Sequence, residues 1–238
     1  MGAMLVLKMG STLASLKSRK GDFESWIVAG LGLPPTDVEV VDVSAGQPLP
    51  PADGHAGVVV SGSHSMVTDC RDWSERAAEW LRENVRAGVP VLGICYGHQL
   101  LAHALGGEVG DNPNGREFGT VEVTMEESAR GDVLLGSLPR SVRVHVGHTQ
   151  SILKLPPEAV WLASNPRDHN QAARFAPRAR GVQFHPEFDA EIVREYIRHF
   201  EGLLQEEGQD TDSLRMLAED TPVGGLILSR FSRLCQAG

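Results

Sequence analysis

Residues 89–99, Val89-Pro90-Val91-Leu92-Gly93-Ile94-Cys95-Tyr96-Gly97-His98-Gln99, join a short apolar run to a glycine-flanked cysteine and the start of a helix. Pro90–Ile94 reads as a strand with almost no polar position. Strands covered on both faces look like this, which points to a parallel sheet enclosed by helices. Gly57–Ser61 has the same character, and Met4–Leu7 and Val38–Val43 read as two further strands. Helical spacing separates them. Trp73, Ala77, Trp80, Leu81 and Val85 line one face of Trp73–Ala87, which Gly88 and Pro90 stop. Asp22–Leu31 is a second helix. Tyr96–Leu105 is a third, closed by Gly106 and Gly107.

Beyond residue 110 the pattern changes to strands with short turns: Phe118–Thr124, Ser141–Val146, Val160–Ser164, Gln171–Phe175 and Gly181–Phe184. Asp189–Leu204 returns to helix, and residues 205–213 read as a polar loop. Gly225–Leu234 is apolar enough to be a helix docking back on the body. The expected architecture is one α/β domain over residues 1–204, with a mostly parallel sheet, helices on both faces and a small antiparallel extension. Residues 205–238 form a tail of loop and docking helix.

Composition narrows the function. Across 238 residues, 22 Lys and Arg against 31 Asp and Glu leave a net charge of −9. That balance argues against nucleic acid as a partner, because phosphate neutralisation needs clustered basic side chains. Aromatic residues are only 5%, too few for a base-stacking platform. No apolar run approaches the ~18 residues of a membrane span, so no membrane partner is expected. Cysteines at 70, 95 and 235 are odd in number and none has CxxC spacing. A disulfide framework and a structural zinc site are disfavoured, and a reducing cytoplasm is the expected location. No metal-binding spacing appears, and no cofactor is expected.

Chemistry concentrates in two places. Gly93-x-Cys95-x-Gly97 between strand and helix is a nucleophile elbow with cysteine in place of serine. The sharp turn needs small neighbours, and the two glycines supply them. A helix N-terminus favours the thiolate, and the Tyr96 N–H is positioned to bond an oxyanion. A cysteine nucleophile needs a base and a group that orients it. Gly181-Val182-Gln183-Phe184-His185-Pro186-Glu187 offers both. His185 should emerge at a strand end, and Glu187, two residues on in extended chain, should point the same way.

GICYGHQ and GVQFHPE together resemble the class I (triad-type) glutamine amidotransferases, over roughly residues 55–190. Val58–Ser65, VVVSGSHS, is similar to that family's strand and oxyanion turn, usually SGGP. Arg116-Glu117-Phe118-Gly119 resembles the REYG segment of the amidotransferase part of GMP synthases. The resemblance implies a flavodoxin-like fold and a mechanism. Cys95 attacks the glutamine side-chain amide, His185 protonates the departing ammonia and then activates water, and Glu187 orients His185. The implied oxyanion donors are the backbone N–H groups of Ser63 and Tyr96. Glutamine would be held by Ser65, Gln99, Thr149 and Gln150. Ser63 and His64 replace the family's glycine and proline. Glycine tolerates the backbone angle of such a turn more easily than serine, so the expectation is a hole not fully formed at rest.

Other signatures are absent. No SGGxDS pyrophosphatase motif, GxxxxGK[ST] phosphate loop or GxGxxG fingerprint occurs. About 50 residues follow the histidine motif, too few for a synthase domain. The expected partner is therefore a separate synthase subunit that takes the ammonia. The alternative is a stand-alone hydrolase of γ-glutamyl compounds, and a non-catalytic binding module of the same fold is a third reading. His55, His103, His199 and His98 read as surface or packing residues. His145, His148 and His169 are candidates for the cleft wall.

Overall fold

The computed structural model describes residues 2–52 and 54–236. Strand β1 (Met4–Lys8) sends Met4 and Val6 into one apolar cluster and Leu5 and Leu7 into another on the opposite face. The same alternation runs through β3 (Gly57–Val60) and β4 (Val91–Ile94), where Val59, Leu92 and Ile94 oppose Val58, Val60 and Val91. Both faces are covered, which is why these strands carry almost no polar residue.

Helix α2 (Phe23–Leu31) covers the first face. Asp22 accepts a hydrogen bond from the Phe23 N–H at its start, and Gly32 ends it in the left-handed conformation at φ 67°. Helices α3 (Asp72–Arg86) and α4 (Tyr96–Ala104) cover the second. A short helix, α1 (Ala14–Lys20), lies between β1 and α2, and β2 (Val38–Asp42) follows α2.

The second half adds β5 (Glu108–Asp111), β6 (Glu117–Met125), β7 (Ser141–His148), β8 (Gln150–Lys154), β9 (Val160–Ser164), β10 (Ala172–Ala176) and β11 (Ala179–Val182). The main sheet has nine strands, in the order β2-β1-β3-β4-β11-β10-β9-β6-β7. Pairing is parallel from β2 to β11 and antiparallel from β11 to β7. The antiparallel extension thus continues the same sheet, while β5 and β8 form a separate two-stranded ribbon. Because β3, β4 and β11 are parallel neighbours, the segments leaving their carboxyl ends meet at one edge, the usual place for a site in such sheets.

Several boundaries differ from expectation. Strand β11 ends at Val182, two residues before the expected end at Phe184, and the chain then leaves the ladder: the His185 N–H bonds the His145 carbonyl of β7 and the Phe188 N–H closes a turn on the His185 carbonyl. His185 therefore sits in a turn. The expected helix over Asp189–Leu204 divides at Phe200 into α5 (Ala190–His199) and α6 (Glu201–Glu206). The expected loop at 205–213 already contains the start of α7 (Thr211–Leu217), capped by Asp210, which accepts from the Ser213 N–H.

Helix α8 (Pro222–Gln236) contains the anticipated Gly225–Leu234 stretch and buries Ile227, Leu228, Phe231 and Cys235. Gly30 of α2 admits it closely: a methyl group there would lie 2.3 Å from Leu228 Cδ1. Residues 237 and 238 of the tail lie outside the described residues. Among the described residues, no helix is long and apolar enough to cross a membrane, and no cluster of His, Cys, Asp and Glu has the makings of a metal site.

Candidate active site

Cys95 follows β4 directly and has φ 50° and ψ −101°, which a non-glycine residue rarely adopts. Close backbone packing holds this turn. A methyl group on Gly93 would lie 2.4 Å from the Gly97 carbonyl oxygen, and one on Gly97 would lie 2.4 Å from the Val60 carbonyl oxygen. Both glycines are therefore required where the elbow motif demanded small residues. The turn leaves Tyr96 as the first residue of α4, where its N–H faces the open helix end.

His185 is buried beside Cys95, and its Nδ1–H donates to Glu187 Oε1 at 2.8 Å. The pair forms across a Pro186 turn rather than along an extended strand. The His185 N–H is fixed by the His145 carbonyl at 2.7 Å, and the ring stacks on Phe188 with centroids 3.9 Å apart. A methyl group on Gly62 would lie 2.9 Å from His185 Cε1, so the first glycine of the SGS turn makes room for the imidazole. Burial alone would lower the His185 pKa. The negative charges of Glu187 and Cys95, with a hydrogen bond to each, outweigh it and push the value up to about 10. The imidazolium is thus the favoured form at neutral pH.

Cys95 opens onto a cavity of about 180 Å³. Ser63, Ser65, Tyr96, Gln99, Thr149 and Gln150 all line it, so the structure gathers every residue expected to hold substrate or bond an oxyanion. Among the described residues, no lysine, arginine, aspartate or glutamate lines the cavity. Larger hollows exist, one of about 580 Å³ beside Phe118 and Leu214, but Cys95 opens into neither that one nor the one under Thr124–Arg140.

The wall opposite Cys95 is held by buried polar groups, of which sequence reading named His148, Gln99 and Gln150 but not their partners Gln171, Asn165, Gln183, Thr68 and Asp111. His148 lines the cavity and bonds the Gln150 carbonyl through Nδ1 at 3.0 Å and Glu117 Oε2 through Nε2 at 3.1 Å. Gln171 and Asn165 donate to the two oxygens of Glu117 at 2.8 and 2.6 Å. The Gln99 amide donates to the Gln150 carbonyl at 2.7 Å and to Gln183 Oε1 at 3.0 Å. The Gln150 amide donates to Thr68 at 2.7 Å and to Asp111 at 3.1 Å. Of the histidines considered for the cleft wall, His148 belongs to it. His145 is buried beneath His185, and His169 packs on Trp161. His98 is fully buried and bonds the Asn170 carbonyl at 2.9 Å, and burial lowers its pKa to about 4.

Residues 21–200 match the family described as "Glutamine amidotransferase class-I". The chain belongs to that family. Among relatives of this amidotransferase, a glutamine-hydrolyzing GMP synthase from Aeropyrum pernix is 38% identical over 185 residues, 77% of this chain and 32% of that protein. A glutamine-hydrolyzing GMP synthase subunit from Pyrococcus furiosus is 35% identical over 150 residues, covering 60% of this chain and 74% of that one. Gamma-glutamyl peptidase 5 of Arabidopsis thaliana is 31% identical over 147 residues, 61% of this chain and 59% of that one. The chain spans only about a third of the length of the first GMP synthases it matches, 32% and 28%. A solved glutamine amidotransferase from Thermotoga maritima superposes with a TM-score of 0.78 over 99% of this chain and 98% of its own, at 22% identity, a likeness of fold.

Proposed function

We propose that this amidotransferase hydrolyses the side-chain amide of glutamine, releasing glutamate and ammonia, and that the ammonia passes to a separate synthase subunit. One observation carries the reading: Cys95, strained at a helix N-terminus, shares a buried site with the His185–Glu187 pair and opens onto a cavity sized for an amino acid. The raised His185 pKa keeps a positive imidazolium beside the Cys95 sulfur at rest. The thiolate attacks the amide carbon and forms the C–S bond, and the carbonyl electrons move to oxygen. That oxyanion takes hydrogen bonds from the Tyr96 and Ser63 N–H groups. As the C–N bond breaks, His185 gives its proton to the departing nitrogen and ammonia leaves. Neutral His185 then takes a proton from water. The hydroxide attacks the thioester, the C–S bond breaks, and Cys95 and His185 return to their starting forms. Glu187 holds the imidazole in place and stabilises its positive form.

Substrate preference follows from the REFG segment and from Gln99. Both are features of glutamine-using relatives, and both stand at the cavity wall through Phe118 and Gln99. The peptidase relative favours a second reading, hydrolysis of γ-glutamyl peptides. Purified protein offered glutamine and a panel of γ-glutamyl amides and peptides, with Cys95→Ala as the blank, separates the two. Glutamate and ammonia from glutamine at rates within tenfold of the best peptide support the first. A γ-glutamyl peptide turned over a hundred times more efficiently than glutamine establishes the second.

A further inference from the structure

Ser63 and His64 occupy the turn after β3 and line the cavity onto which Cys95 opens. Left-handed backbone is not needed here: among the described non-glycine residues only Cys70 and Cys95 have positive φ, and Gly62 is not among the positive-φ glycines. Serine is therefore tolerated at 63 without strain. What the turn lacks is proline at 64, the residue expected from the family resemblance, whose ring would fix φ by itself.

A tether stands in its place. The His64 ring bonds the Tyr196 hydroxyl through Nε2 at 3.0 Å, and that hydroxyl bonds Thr12 Oγ1 at 2.9 Å. The Thr12 N–H donates to Asp22 Oδ1 at 2.7 Å, and Asp22 Oδ2 accepts from Lys8 Nζ at 2.8 Å. Lys8 ends β1, the strand beside β3. The line thus starts and ends on the same rigid sheet. Asp22 also caps α2, and Thr12, Asp22, Lys8 and Tyr196 are all buried. Aromatic edges confine the imidazole, with Phe23 at 6.3 Å, Tyr196 at 5.6 Å and Phe200 at 6.3 Å between centroids. On the other side of Ser63, Ser61 Oγ accepts from the Met9 N–H and donates to the Gly62 carbonyl, each at 2.9 Å. The Ser65 N–H donates to Ser63 Oγ at 3.1 Å. Within this frame the Ser63 N–H has no acceptor among the described residues.

We propose that His64 is a positioning residue: tethered through Tyr196 and Thr12 to Asp22, it holds the Ser63 N–H as a standing oxyanion donor in the isolated chain. The proposal rests on the reading of Cys95 as a thioester-forming nucleophile. It replaces the expectation of a hole that waits for a partner.

The test uses 5-oxopentanoate, an aldehyde that carries the reacting carbonyl but no leaving group. The Cys95 thiolate adds to it, the C–S bond forms, and the carbonyl electrons move to an oxygen in the oxyanion position, with His185 supplying the proton. Tyr196→Phe keeps the ring and removes the hydroxyl. It should weaken aldehyde inhibition about 10- to 100-fold and lower kcat in proportion, short of the ~10²–10³ for losing a donor outright. KM and inhibition by the product glutamate should move less than about threefold, and the iodoacetamide alkylation rate of Cys95 should hold. His64→Ala should match Tyr196→Phe, whereas His64→Gln, which keeps a hydrogen-bonding nitrogen within reach, should recover most of the loss. Thr12→Val tests the next link without touching the cavity and should show a smaller loss of the same kind. Unchanged aldehyde inhibition in both Tyr196→Phe and His64→Ala overturns the tether. So does an equal fall in iodoacetamide reactivity, which would place the effect on the thiolate. A wild-type protein that neither binds the aldehyde nor turns over any γ-glutamyl amide removes the underlying reading, and the tether with it.

Discussion

The two walls of the cleft are built on different principles. Around Cys95 the backbone itself is the constraint. Gly93 packs on the Gly97 carbonyl and Gly97 on that of Val60, and no side chain larger than hydrogen fits. Across the cavity, Gln150 is held by side chains: His148, Glu117, Gln171, Gln99 and Gln183 form a buried polar mesh drawn from β6, β7, α4 and the segments flanking β10 and β11. A backbone-defined wall admits few residue types at each position. A mesh of this kind is satisfied by many combinations, provided every buried donor finds an acceptor.

The largest effect should come from breaking the backbone wall. Gly93→Ala puts a methyl group where only 2.4 Å separates it from a carbonyl oxygen that cannot swing aside. The expected cost is about 3 kcal/mol or more. That lowers Tm by about 6–12 °C in a protein of this size and abolishes turnover through displacement of Cys95. Differential scanning calorimetry and the glutaminase assay check both. A variant with wild-type Tm and activity would mean that the elbow is softer than its contacts indicate.

An intermediate effect should follow from the link between the walls and His185, the proposed proton-transfer group. Glu187→Gln keeps the shape but removes the charge that raises the His185 pKa. Turnover should fall about 10²- to 10⁴-fold, less than in Cys95→Ala or His185→Ala, since the orienting member of such a set is the least indispensable. The sign of the pH effect follows from linkage. With its folded pKa raised to about 10, His185 contributes stability that is complete below its unfolded value near 6.5 and is lost as pH rises through about 10. Without the Glu187 charge the folded value falls, so the alkaline loss should be smaller and end at lower pH. Denaturation midpoints across pH 6 to 10 measure the change, and an unmoved alkaline limb would assign the raised pKa to Cys95 alone.

The same contrast explains what the sequence made legible. Strand and helix over residues 89–104 were readable because two-sided burial leaves an apolar run and the elbow leaves its glycines. His185 and Glu187 were readable as a pair, but not the turn that joins them: beyond Val182 the His185 N–H goes to the His145 carbonyl and the chain turns at Pro186. Glu117 and His148 carried no signal as partners, since 31 positions separate them and only the β6–β7 pairing brings them together. Tyr196 and Thr12, 184 positions apart, were hidden for the same reason. Ribbon strands β5 and β8 are short and half exposed, which leaves neither a clean alternation nor a continuous apolar run.

The smallest effect should come from the polar mesh, and it should fall on binding. Glu117→Gln keeps the size of the side chain but turns one acceptor into a donor. Glu117 accepts from Asn165 at one oxygen and faces His148 Nε2 and Gln171 at the other. An amide nitrogen at either place leaves a buried donor without an acceptor, which costs about 1–3 kcal/mol of stability. His148 stays in place through the Gln150 carbonyl but loses its anchor behind. Burial lowers the His148 pKa, and the hydrogen bond and charge of Glu117, then the charges of Asp168 and Cys95, raise it further than burial lowers it. Its contribution to stability is therefore complete below pH 6.5 and drains away as pH rises through the raised folded value. In Glu117→Gln much of that dependence should vanish. Because Thr149 and Gln150 line the cavity while Cys95 and His185 are untouched, KM should rise about 5- to 10-fold with kcat within twofold. Denaturation midpoints and steady-state kinetics for glutamine, each at pH 6 and pH 8, test the two parts. A fall in kcat as large as that in Glu187→Gln would mean that the two walls are one mechanical unit, and that the mesh positions the nucleophile as well as the substrate.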